Sequence, residues 1–174
     1  MLVVENGSGI NNANSYCDVQ FADDYLASIG NTDWSGDQAA KEQALIVACQ
    51  SLELLYGSRY LSYRLEGNQA LLWPRYPFTD RNMNIRHSER IPVELKKAQA
   101  EVAVLYMNGV DVFPEGNADG SIVSESASVG AISTSTTYKG AGKPEIATYK
   151  GFRKIDLLLW PIIKGKLTNV SLGR

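Results

Sequence analysis

The side chains that could carry chemistry are few. The chain of 174 residues holds one histidine, His87, and two cysteines, Cys17 and Cys49. The cysteines stand far apart, with no CxxC and no histidine close in sequence. A cytosolic pair of that kind reads as two reduced, packed thiols. A structural zinc site takes about four ligands, mostly Cys and His, and the inventory falls short. His87 sits in Asn84-Ile85-Arg86-His87-Ser88, a polar stretch that reads as an exposed loop. Glu94 and Glu101 stand seven residues apart and share a helical face. They could serve acid–base work or hold a cation, but no histidine or further carboxylate joins them, and pairing with Lys97 or Arg90 is the simpler reading. GxSxG, Walker A, GxGxxG and HExxH are all missing. Gly7-Ser8-Gly9 and Gly140-Ala141-Gly142 lack the strand-to-helix setting of a phosphate loop. The expectation is a protein that is not an enzyme and carries no metal or cofactor.

The remaining chemistry is recognition. The Trp73-Pro74-Arg75 block can be read as a base-stacking platform beside an arginine. The alternative is a packed tryptophan, a proline that redirects the chain, and a hydrogen-bonded arginine. The formal charge of −2 and pI near 5.5 favour the second, because stacking platforms belong to basic grooves. The charge is uneven, however. Residues 1–58 carry one basic and eight acidic side chains, a balance of −7, and residues 59–97 carry eight and four, a balance of +4. Residues 98–149 balance at −4 and residues 150–174 at +5. Each segment alone is ordinary solvated surface; together they suit docking onto charged partners.

Several elements must position these groups. A length of 174 residues with 44% hydrophobic content supports one domain, with or without arms. Apolar residues at helical spacing (Ala22, Tyr25, Leu26, Ile29) predict a helix over 19–29, capped by Asp18 and stopped by Gly30. A second helix is expected over 38–56, with Asp37 as cap and Leu45, Ala48, Leu52 and Leu55 on its core face. A third starts near Pro92, runs to about 108 and turns Leu95, Ala98, Val102, Leu105 and Tyr106 inward. A short last helix covers 152–159, with Pro161 ending or kinking it. Residues 58–90 read as a long irregular loop, too aromatic for simple disorder, which Trp73 and the tyrosines pin to the helices. Residues 110–127 read as a connector. Residues 129–138 and 146–149 read as strands of a β-hairpin, with a turn at 139–143. The fold class is therefore mainly α: a three-to-four-helix bundle core, an inserted β-hairpin at about 129–149, a long ordered loop at about 58–90, and a C-terminal arm. The domain covers 1–163 and the arm 164–174.

The longest apolar run is too short to span a bilayer, so no membrane partner is expected. Met1 to Glu5 shows neither a basic n-region nor an apolar h-region, which predicts an intracellular product without a signal peptide.

The order of motifs resembles a family. Asn14-Ser15-Tyr16 leads into Ala22-Asp23-Asp24-Tyr25, then Lys41-Glu42-Gln43-Ala44-Leu45-Ile46. Next come Gln69-Ala70-Leu71-Leu72-Trp73-Pro74-Arg75, Asp80, Ile91-Pro92 and Ala98-Gln99-Ala100-Glu101. Ser124-Glu125-Ser126, Val129-Gly130-Ala131-Ile132-Ser133 and Leu157-Leu158-Leu159-Trp160-Pro161 follow. Over residues 13–163 this resembles the tailed-bacteriophage proteins labelled DnaT-like single-stranded DNA-binding proteins, which look like head–tail connector or adaptor proteins. Tyr76-Pro77-Phe78 stands where a glycine-containing turn is typical, and residues 81–90 make a longer stretch than usual.

The resemblance implies a structural virion protein, made in the host cytoplasm. It implies a ring of identical copies, commonly dodecameric, beneath a portal protein and above a tail or stopper protein, with double-stranded DNA passing through the channel. The implied portal-binding arm carries Lys164, Lys166, Leu167, Val170, Leu172 and Arg174. Its apolar residues alternate with small polar ones, as suits an extended segment laid in a groove. Arg59, Tyr60, Arg64, Trp73, Arg75 and Tyr76 are the expected contacts of the long loop with a neighbouring copy or the tail side. The alternative is a DnaT-like single-stranded-DNA-binding module, for which the basic, aromatic segment 59–97 speaks and the acidic pI does not. A small enzyme of other chemistry is the third class, disfavoured by the thin histidine and cysteine inventory.

Overall fold

The computed structural model describes residues 1–86, 90–113, 122–128, 133–138 and 150–164. Contacts divide the chain into two units, Met1–Phe113 with Gly151–Arg174, and Pro114–Lys150.

In the larger unit, α1 (Val19–Ser28) begins where the Asp18 carboxylate accepts the Phe21 amide at 2.8 Å. It ends in a Schellman motif. Gly30, at φ +69°, donates its amide to Ala27, and Asn31 donates back to Leu26. Asp37 caps α2 (Gln38–Tyr56) in the same way, through the Ala40 amide at 2.8 Å. α3 (Val93–Met107) follows Pro92, and its C-terminus repeats the Schellman pattern through Gly109, at φ +74°, and Val110. α4 (Lys150–Leu159) runs into a 3-10 turn at Trp160–Ile162. These four helices agree with the sequence expectation to within about two residues at each end.

α3 explains why helices alone do not complete the core. Leu95, Ala98, Gln99, Ala100, Glu101, Val102, Ala103 and Val104 are all buried, so most of its circumference needs cover. α2 and α1 supply part of it. The rest of the core comes from outside the helices: Tyr16, Cys17, Tyr60, Trp73, Phe78, Val112 and Ile163. The architecture is a small mixed domain of four helices with short antiparallel hairpins, rather than a core built by helices only.

Residues 58–90 are less irregular than expected. After a 3-10 turn (Gly57–Arg59), β1 (Tyr63–Arg64) pairs with β2 (Arg75–Tyr76), and β3 (Phe78–Thr79) pairs with β4 (Ile85–Arg86). Strands of two residues leave too little alternation to be read from sequence. Gly57 permits the close approach of this region, since a Cβ there would meet Leu72 Cδ1 at 2.5 Å. The segment after α4 is tied to the same place. Tyr60 bridges Ile163, and the Leu61 amide donates to Ile162.

In the smaller unit, β5 (Ile122–Ser128) pairs antiparallel with β6 (Ser133–Tyr138). This corrects the expected hairpin. The Thr-rich strand is present over 133–138, but its partner is the preceding segment, which had been read as connector. Two apolar-containing runs separated by four residues that include Gly130 carry a hairpin signal of their own. The expected turn and return strand, at 139–149, lie outside the described residues.

Gln99 sits fully buried where three segments meet. Its amide nitrogen donates to Ser15 Oγ at 2.7 Å and to the Leu45 carbonyl at 2.8 Å, and its oxygen accepts the Tyr16 amide at 2.9 Å. Replacing Gln99 by Ala leaves the buried Tyr16 amide without its acceptor and opens a cavity in the core. The expected loss is ~2–4 kcal/mol of unfolding free energy, measured by urea denaturation.

Candidate functional site

The Trp-Pro-Arg block is part of the interior. Trp73 is 1% exposed. Its ring meets Tyr60 edge-on at 6.0 Å and Phe78 at 4.8 Å, and its indole N–H has no hydrogen-bond partner. Arg75 is also buried. Nε donates to the Leu61 carbonyl at 2.7 Å, Nη1 to the Leu72 carbonyl at 3.1 Å, and Nη2 to the Ser62 carbonyl. The guanidinium thus closes the β1–β2 loop on itself. Gln69 helps from inside by donating to the Leu71 and Pro74 carbonyls. The stacking-platform reading therefore fails for this block, because neither the indole face nor the guanidinium is open to a base.

A polar chain ties the block to α2. Tyr16 donates its hydroxyl to Glu53, and accepts the Trp73 amide at 3.2 Å. The second Glu53 oxygen accepts the Leu72 amide at 2.7 Å. Burial raises the Glu53 carboxyl above the ordinary glutamate range, although Tyr16, Leu72 and the charges of Arg64 and Arg75 pull it down. Burial, reinforced by Glu53, pushes the Tyr16 hydroxyl well up, so it stays a donor.

The other loop residues named from sequence divide between the interior and the surface. Tyr60 is buried and belongs to the core. Arg59 pairs with Asp156 at 3.2 Å and lies over the Tyr56 ring. Arg64 donates to the Gln69 carbonyl. Tyr76 alone of the named aromatics faces solvent, 57% exposed, and stands opposite the exposed Tyr63 across the β1–β2 pair. For Tyr60, Trp73 and Arg75, an expected role in contacting a neighbour is replaced by a role in holding the loop. Of the arm residues, Lys164 is anchored by its backbone, its amide donating to the Arg59 carbonyl. Lys166, Leu167, Val170, Leu172 and Arg174 lie outside the described residues, as does His87.

Much of the basic excess of residues 59–97 is engaged by the chain's own groups. Arg86 forms a forked pair with Glu94 at 2.8 and 3.3 Å and reaches Asp80 at 3.1 Å. Arg81 donates to the Ile163 carbonyl at 2.8 Å and covers the Trp160 ring at 3.8 Å. Lys96 lies over Phe21 and Lys97 over Tyr25. The Phe21–Tyr25 pair with its lysines is another aromatic and basic face, bordered by Glu101, to which Tyr25 donates its hydroxyl at 2.9 Å. Nearby, Asp23 takes both Lys41 and the Trp34 indole N–H.

The paired carboxylates and the thiols are structural. Glu94 is engaged by Arg86, and Glu101 by Tyr25 and Lys154, in place of the expected Lys97 or Arg90. Burial pushes the Cys17 thiol up to about 12 and raises Cys49 well above its usual range, so neither is a thiolate at neutral pH. Among the described residues, no group of three or more His, Cys, Asp or Glu could hold a metal ion, and no helix is long and apolar enough to cross a membrane.

Sequence reasoning missed the groups the loop does present: Tyr63 at 75% exposure, Met83 at 80% and Ile85 at 87%. The signal was Asn82-Met83-Asn84-Ile85-Arg86, an alternation of apolar and polar residues that was read only as polar loop. Asp80 builds this turn. It accepts the amides of Asn82 and Asn84 at 2.9 and 3.0 Å. Burial alone would raise its carboxyl; the bonds from Asn84, Arg86 and Asn82 hold it below the usual range.

The fold and site define a small mixed domain of helices and short hairpins whose aromatic block is internal. The chain belongs to the family described as "Putative DnaT-like ssDNA binding protein", which matches residues 1–174. That description favours the single-strand-binding alternative over the adaptor ring. No curated protein and no solved structure matches the chain.

Two outcomes follow from this geometry. Trp73→Ala is expected to cost ~3–5 kcal/mol of stability, and Trp73→Phe less than about 2, because the indole N–H makes no bond to lose. A DNA-stacking role would instead leave stability intact in both. For Glu53, the folded state holds the proton more tightly than the unfolded state. Its contribution is therefore present at low pH and lost as pH rises from the ordinary glutamate range through the raised value. Wild type should lose stability relative to Glu53→Gln across that window, and pH-dependent denaturation of the two reads the difference directly.

Proposed function

We propose that the chain is a non-enzymatic assembly subunit, a head-to-tail adaptor of a tailed-phage virion, forming a ring beneath a portal protein and receiving the tail or a stopper protein on the other side. The observation that supports this reading is that Arg75, Arg81 and Arg86 bond groups of their own chain, beside the outward display of Tyr63, Tyr76, Met83 and Ile85. A phosphate-binding groove needs its cations directed at solvent. A protein-docking surface uses exposed apolar and aromatic side chains with a few charges at the rim. The C-terminal arm, Lys164 to Arg174, is the portal-gripping element in this reading, and the DNA in the channel meets few cations.

A second reading, single-stranded-DNA binding, is favoured by the family's description. In that case the contacts come from surfaces other than the Trp-Pro-Arg block, which is buried. The two readings separate in a gel-shift titration with single-stranded oligonucleotides at two salt concentrations. The adaptor reading expects no retardation, or weak retardation with a shallow salt slope. Tight binding whose logarithm falls with slope near −0.7 per phosphate contacted would establish the second reading instead. A chain lacking residues 165–174 is expected to stay folded and soluble and to lose attachment to portal rings in a pull-down. Normal attachment of the truncated chain would sink the arm's assignment.

A further inference from the structure

The sequence holds two Asn-Gly pairs, Asn6–Gly7 and Asn108–Gly109. An asparagine before glycine is chemically labile. Once the glycine amide has given its proton to base, its nitrogen can attack the asparagine Cγ, because no side chain on the glycine hinders the approach. A C–N bond forms, the Cγ–Nδ2 bond breaks, and ammonia leaves behind a cyclic succinimide. Water then opens the ring at either carbonyl and gives aspartate or isoaspartate. No group is oxidised or reduced.

The fold holds the two pairs differently. The buried Gly7 amide donates to Glu5 Oε1 at 2.8 Å. The same carboxylate takes the amides of Gly9 at 3.0 Å and Ile10 at 2.8 Å, and Glu5 is 1% exposed. Removing the Gly7 proton would set an amide anion against a carboxylate inside the fold, which like-charge repulsion at low dielectric opposes. The attacked group is restrained as well, since Asn6 Oδ1 accepts the Ser8 amide at 2.9 Å. Gly109, by contrast, donates to a neutral acceptor, the Tyr106 carbonyl at 3.0 Å. Asn108 is exposed and only lightly held, with Nδ2 3.4 Å from Asp33.

We propose that Asn6–Gly7 is a site of spontaneous deamidation that Glu5 holds shut in the folded chain. The proposal is independent of both functional readings. Opening the 5–10 loop frees the pair to react, and the product hinders return. Isoaspartate lengthens the backbone ahead of Gly7 by one atom, so the Gly7, Gly9 and Ile10 amides no longer converge on Glu5. Either product adds a carboxylate beside that of Glu5, which repels it. The loop also holds its neighbour: the Ile10 carbonyl accepts the Ala70 amide at 3.1 Å, and Gly9 lies close against Glu66 and Gln69. The modification therefore loosens the N-terminal segment and the β1–β2 loop together.

The test uses the full chain, incubated at mildly alkaline pH in native buffer and in urea. Conversion at positions 6 and 108 is followed by peptide mapping with mass spectrometry. In native wild type, conversion at position 6 should be about tenfold or more slower than in urea. In native buffer, Glu5→Gln should speed conversion at position 6 about tenfold and leave position 108 unchanged, which separates loss of the guard from general unfolding. Equal rates at position 6 in native and unfolded wild type overturn the proposal, as does a folded Glu5→Gln chain with no acceleration there. If Glu5→Gln unfolds the chain, both positions speed up together and hydrogen exchange of the wild type decides, because exchange and deamidation share the loss of the Gly7 amide proton. Exchange at Gly7 slower than at Ser8, whose amide meets only the neutral Asn6 oxygen, supports Glu5 as the guard. Exchange as fast as at Ser8 overturns it.

Discussion

One buried amide holds the larger unit together. Gln99 joins α3 to α2 through Leu45 and to the N-terminal segment through Ser15 and Tyr16. The polar path continues from there. Tyr16, held at its backbone by Gln99, sends its hydroxyl to Glu53 and receives the Trp73 amide, while Glu53 receives the Leu72 amide. A chain of side chains thus runs from the middle of α3 to the Leu-Trp-Pro-Arg loop, with only Glu53 partly open to solvent. Low local dielectric strengthens each bond in such a path and makes each missing partner costly. That constraint explains why a loop of short strands is fixed so firmly against a helical core.

The arginines show why a sequence charge balance is a poor map of a surface. Residues 59–97 hold an excess of four positive charges. Yet Arg75 closes three carbonyls of its own loop, Arg81 donates to the Ile163 carbonyl, and Arg86 bridges Asp80 to Glu94. A guanidinium presents five donors in a fixed fork. It is therefore the natural residue for a loop whose carbonyls lack strand partners. Here the loop has only two-residue strands, and arginine supplies much of the hydrogen bonding that a longer ladder would have given.

The helices were legible because their signals are local. Asp18 and Asp37 cap, Gly30 and Gly109 stop, and the apolar spacing between them sets the buried face. The packed reading of Trp73, Pro74 and Arg75 was legible too, from the acidity of the chain. What stayed hidden depends on distant partners. Arg86 with Glu94, Glu101 with Lys154, and Trp73 between Tyr60 and Phe78 are pairings that no spacing rule announces. The hairpin shows a nearer failure. The Thr-rich run at 133–138 fixed one strand, but Ile122–Ser128, rich in Ser and Ala, carried too weak a β signal to be chosen as its partner.

The motif that carries the family resemblance lies in the interior of this molecule. Trp73, Arg75 and Gln99 are buried and bind only their own chain. Residues in that position transmit a fold, because altering them leaves unpaired groups or a cavity. Tyr63, Met83, Ile85 and Arg90 have exposed side chains, so packing constrains their identity less. A shared Leu-Trp-Pro-Arg block therefore argues for a shared scaffold. A shared scaffold by itself does not fix a ligand, which depends on what a chain presents outside it.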